Sequence, residues 1–104
     1  MSTATDVLRI AAAEIGYSRW DDPEAGSKYG RDYATRHGAY YGASGVPYCA
    51  MYVTWVLRAA GMEPVGGDFA YVPYGINAAA REGRLVSPMT QAAPGDLVCF
   101  DWDD

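Results

Sequence analysis

The sequence predicts an α+β fold. Helical periodicity recurs over about residues 4–15, 49–60 and 73–82, and strict alternation of side chains follows over 95–102. Length supplies a third constraint, since 104 residues give one domain with a single core and a thin margin of burial.

In the first helical stretch Val7, Leu8, Ala11, Ala12 and Ile15 form one apolar stripe, while Arg9 and Glu14 face away. Thr3 and Asp6 have capping-box spacing, and Gly16 is a left-handed stop. Residues 17–48 read mostly as loop, punctuated by five glycines and by Pro23 and Pro47, with a short helix near 31–36. Loops of this length are functional or disordered, and the interleaved Tyr29, Tyr33, Tyr40, Tyr41 and Tyr48 argue against disorder. From Cys49 to Ala60 the pattern is helical again. Ala50, Val53, Leu57 and Ala60 make one face, Gly61 stops the run, and Pro64 lies beyond it. Nearly every residue from 50 to 57 is apolar, which predicts a central, buried helix. Pro73 opens the third helix and Gly83 caps it. The alternation puts Leu97, Cys99 and Asp101 on one face of a strand and Val98, Phe100 and Trp102 on the other. A lone strand leaves its own backbone groups unpaired, so its partners are expected in a segment beyond these residues.

Composition excludes several functions. Half the residues are hydrophobic and a fifth charged, the balance of a globular chain. The net charge is −5 and the eight basic residues are scattered, which speaks against nucleic acid as a partner. Asp6, Arg9 and Glu14 interrupt the N-terminal apolar stretch, so it is expected to be neither a signal peptide nor a membrane span, and synthesis is expected in a cytoplasm. Cys49 and Cys99 stand fifty positions apart, which makes neither a zinc pattern nor a disulfide scaffold. The acidic groups Asp21, Asp22 and Glu24, and Asp101, Asp103 and Asp104, lack the alternating oxygen pattern of a calcium loop and read as solvated turns. No metal and no cofactor is expected.

Cys49 is the sharpest chemical feature. It opens a buried helix just after Pro47 and Tyr48. Free N–H groups at a helix start stabilise a thiolate, and the same groups can receive the oxyanion of an attacked carbonyl. On residue chemistry alone, a small apolar core residue is the more ordinary use of cysteine.

The run Gly45-Val46-Pro47-Tyr48-Cys49-Ala50-Met51-Tyr52-Val53-Thr54-Trp55-Val56, followed by Ala60-Gly61, resembles the nucleophile segment of the CHAP family. These are cysteine, histidine-dependent amidohydrolases and peptidases of the papain-like superfamily. Ile15-Gly16-Tyr17 with Lys28-Tyr29-Gly30, and the run Pro94 to Trp102, resemble two further family segments in the same order. The resemblance spans essentially the whole chain and is nearest to endolysins of phages that infect high-GC Gram-positive hosts. It implies a papain-like fold, here its N-terminal helices with the start of an antiparallel sheet. It also implies peptidoglycan as substrate, with Cys49 attacking an amide of the stem peptide or cross-bridge. Lys28, Tyr29 and Tyr48 are then expected to border the substrate groove, and Cys99 to pack in the core where the family has an aromatic residue.

One family feature is missing. The histidine that serves as base follows a segment like Phe100-Asp101-Trp102 in the family, and these 104 residues contain none there. The sole histidine, His37, matches no catalytic position and reads as an exposed loop residue. The chain is therefore expected to be the N-terminal portion of a single catalytic domain. It would be inactive alone, marginally stable, and completed by a C-terminal segment bearing the base. A non-catalytic wall-binding or regulatory fragment is the alternative expectation.

Overall fold

The computed structural model describes residues 4–86 and 91–99. Within them lie four α-helices, one 3-10 turn and no strand. The helices are α1 (Ala4–Ala12), α2 (Lys28–His37), α3 (Cys49–Ala59) and α4 (Val72–Arg81), with the 3-10 turn at Ala39–Gly42.

The core is aromatic. Tyr29 and Tyr33, one turn apart on α2, pack with Met51 of α3, and Trp55, Tyr17 and Tyr41 close around them. Spacing of four residues places both tyrosines on one face of α2, which is how a largely polar helix acquires a buried stripe. The helix starts at Ser27, whose buried hydroxyl accepts the N–H of Gly30 at 2.9 Å. Alpha-3 is buried on more than one side through Ala50, Met51, Thr54 and Val56. It meets α1 where the Tyr52 hydroxyl donates to the Ala11 carbonyl at 3.1 Å. Gly61 adopts φ +80° just past α3, and Met62 N–H then reaches back to the Leu57 carbonyl at 2.8 Å, so glycine is required for this stop. The buried Thr54 hydroxyl donates to the Phe69 carbonyl at 3.0 Å and accepts the Phe69 N–H at 3.3 Å, fixing the loop ahead of α4.

The expectation of an α+β, papain-like fold that begins an antiparallel sheet is corrected: among the described residues the regular elements are all helices. Residues 96–99 have no secondary structure, and 100–102 lie outside the described residues. Alternation alone does not make a strand, because every ladder bond needs a second edge, and the described residues offer none. What forms instead is a turn at Pro94-Gly95, closed by Asp96 N–H on the Ala93 carbonyl at 3.0 Å. Its Asp96 carboxylate accepts the Ala93 N–H at 2.8 Å. Leu97 and Val98 remain exposed, and Leu97 lines an apolar cleft of about 120 Å³ between α1 and α3. Cys99, expected in the core, is exposed.

Other boundaries shift. The first helix ends at Ala12 and continues as turns through Gly16, leaving Ile15 exposed. Alpha-2 is longer than the short helix expected near 31–36, because its Ser27 cap draws Lys28–Gly30 into the helix.

Candidate active site

Cys49 is the first residue of α3 and its side chain is exposed, whereas Ala50 and Met51 directly after it are 2% and 1% accessible. The apolar run drives the helix inward, and its opening residue is left at the surface. Tyr48 is the N-cap residue and provides no side-chain cap, in contrast to Ser27 on α2. The first α-helical bond of this turn joins Tyr52 N–H to the Tyr48 carbonyl at 2.8 Å. The amides of Cys49, Ala50 and Met51 therefore precede the helical ladder, and no cap side chain occupies the helix start. A thiolate, or an oxyanion formed by its attack, would meet the positive end of α3 there.

Tyr48 is half-buried and stacks on Tyr29, 5.8 Å between ring centroids. Tyr29 is 2% accessible and its hydroxyl donates to Glu14 Oε1 at 2.7 Å, so it forms the floor under Tyr48 and presents no ring to solvent. Burial, then the Glu14 carboxylate, push its hydroxyl pKa upward. Lys28 pairs with Glu14, and its ammonium lies 5.1 Å from the centroids of both Tyr17 and Trp55. Of the three side chains expected to border a groove, Tyr48 and Lys28 are partly accessible and Tyr29 is core.

Two features escaped the sequence reading. Asp22, read as part of a solvated acidic turn, has a side chain only 7% exposed. It accepts the Tyr17 hydroxyl at 2.6 Å and an Arg31 N–H at 2.8 Å. The Tyr17 hydroxyl in turn accepts the Lys28 N–H at 2.8 Å, so the chain from 17 to 31 is stitched around one carboxylate. The second is Arg19. Its guanidinium carbon lies 4.6 Å from the Trp20 ring centroid and 5.5 Å from that of Tyr48, and one N–H donates to the Val46 carbonyl at 3.0 Å. Nothing in local spacing announces a contact across 27 residues.

His37 terminates α2 rather than sitting in a loop, and its Nε2 is 3.0 Å from Asp68 Oδ2. Asp68 also binds Arg36 at 2.8 Å and Arg58 at 3.3 Å. Burial raises the Asp68 pKa, but the bonds from His37 and Arg36 outweigh it and the net shift is downward. Phe69, next in sequence, is held by Thr54. Asp68 is thus docked along α3 between Thr54 and Arg58, five to nine residues beyond Cys49, or roughly 7–14 Å along the axis. The one histidine is engaged away from the thiol. Among the described residues no cluster of His, Cys, Asp or Glu is arranged to hold a metal, and no helix is long and apolar enough to cross a membrane.

Comparison with family models, with curated proteins and with solved structures gives no match for this chain.

Proposed function

We propose that the chain is the nucleophile-bearing part of a peptidoglycan hydrolase, an amidase or endopeptidase acting at the bacterial cell wall. An exposed thiol at the uncapped start of an otherwise buried helix carries this reading. The resemblance of residues 45–61 to the CHAP nucleophile segment supports it. In the reaction, Cys49 Sγ attacks the carbonyl carbon of a stem-peptide or cross-bridge amide. The tetrahedral oxyanion is held by the first amides of α3, and collapse expels the amine to leave a thioester that water hydrolyses. A base must take the thiol proton and return it to the departing amine. His37 is bonded to Asp68, so the reaction calls for a base other than His37.

The test is clearing of a peptidoglycan suspension by the chain fused to, or mixed with, a segment that supplies the histidine. Clearing is expected with Cys49 and not with Cys49→Ala. Equal clearing by both removes the thiol from the reaction. Absence of clearing, with the wall still bound, points to the wall-binding alternative.

A further inference from the structure

Resting on the peptidoglycan reading, we propose that Arg19 is a specificity-determining residue that binds a carboxylate of the stem peptide beside Cys49. The basic side chains nearest the core are already paired: Lys28 with Glu14, Arg31 with Asp22, and Arg36 and Arg58 with Asp68. Arg19 makes no such ion pair among the described residues. One of its N–H groups is used on the Val46 carbonyl, and the guanidinium lies over the rings of Trp20 and Tyr48. Two rings and one carbonyl fix the plane and leave further N–H donors along its edge. A fixed guanidinium edge fits a carboxylate through two parallel hydrogen bonds.

The place of this edge gives it meaning. Val46 and Tyr48 are the residues leading into Cys49, so a ligand carboxylate on Arg19 would be held against the segment that leads to the thiol. Trp20 is 74% accessible, so the aromatic shelf opens to solvent. The overall charge of −5 repels anionic ligands in general, so binding of one depends on a local cation such as Arg19. Stem peptides carry both side-chain and C-terminal carboxylates, and either has the required chemistry.

The experiment is calorimetric titration of the Cys49→Ala chain with a synthetic stem peptide having free carboxylates. Two further peptides are amidated, one at the side chain and one at the C-terminus, and so tell which carboxylate is read. One amidation is expected to weaken binding about tenfold, the scale of a lost charge-assisted bond. Arg19→Met is expected to bind all three peptides alike, and Arg19→Lys, which keeps charge but not the fork, to discriminate less than arginine. Equal binding of the three peptides by Arg19, discrimination retained in Arg19→Met, or binding of none of them overturns the proposal. Wall clearing without acid–amide discrimination sinks Arg19 and leaves the Cys49 reading. Discrimination without clearing does the reverse.

Discussion

The ring of Tyr48, immediately ahead of Cys49, stacks on the buried ring of Tyr29 at 29° between planes. The entry to the thiol therefore rests on the centre of the core. Tyr17, Tyr52 and Trp55 meet Tyr29 edge-on, at 5.0, 4.9 and 5.2 Å. Edge-on and offset pairs of this kind contribute beyond simple burial.

Tyr29→Ala is accordingly expected to destabilise the chain by about 3–5 kcal/mol, the range for removing a large buried aromatic. Tyr29→Phe keeps the ring and loses only the bond to the Glu14 carboxylate, for about 1.5–3 kcal/mol. Urea denaturation of both variants checks this. A loss under about 0.5 kcal/mol for Tyr29→Ala, the level of neutral surface changes, would contradict the assignment of Tyr29 as core hub.

Gly30 gives a case where two effects oppose. Alanine is favoured over glycine inside a helix by about 1 kcal/mol. A Cβ at position 30, however, would lie 2.5 Å from the Tyr41 carbonyl oxygen and 3.2 Å from the Ser27 hydroxyl that caps α2. Backbone cannot yield as a side-chain tip does, so the steric term of about 1–3 kcal/mol wins. Gly30→Ala should lower the urea midpoint. A raised midpoint would show that α2 and the Ala39–Gly42 turn are not in this close approach.

Acid should unfold the chain through its bonded carboxylates. Asp22 is held at about 2 against an ordinary 3.8, by the Tyr17 hydroxyl first, then Arg31, then the Glu24 N–H. Glu14 is also lowered, chiefly by its bond from Lys28. A carboxyl whose folded pKa is depressed contributes fully above its unfolded value and loses that contribution as pH falls toward the folded one. Stability is thus expected to be flat above about pH 5 and to decline from about pH 4 toward pH 2. In Asp22→Asn the decline should be shallower, measured by urea midpoints across that range. An unchanged slope would remove Asp22 from the account.

Much of the helical framework was legible because its signals are local. The apolar runs of α1, α3 and α4, and the stops at Gly61 and Gly83, come from spacing that the chain satisfies by itself. Cys49 as the opening residue of α3 was legible for the same reason. The length of α2 was not, since glycine in its first turn masks the Ser27 cap, and its buried face is made of tyrosine. The strand failed for the opposite reason. Alternation at 97–99 states a preference, but a strand is a relation between two segments, and the described residues contain no second one. The Arg19–Val46 and His37–Asp68 contacts span 27 and 31 residues, so they depend on how helices pack and leave no pattern in either segment.

The central claim is that Cys49, and not Cys99, is the acylated nucleophile, although both thiols are exposed. Mass spectrometry after incubation with an activated stem-peptide thioester tests this most directly. Thiol exchange transfers the acyl group to Sγ and releases a small thiol that carries away the proton, so no general acid is needed to protonate a departing amine. The expected result is one acyl adduct on Cys49, absent in Cys49→Ala and retained in Cys99→Ala. Equal labelling of the two cysteines, or labelling of Cys99 alone, would contradict the account.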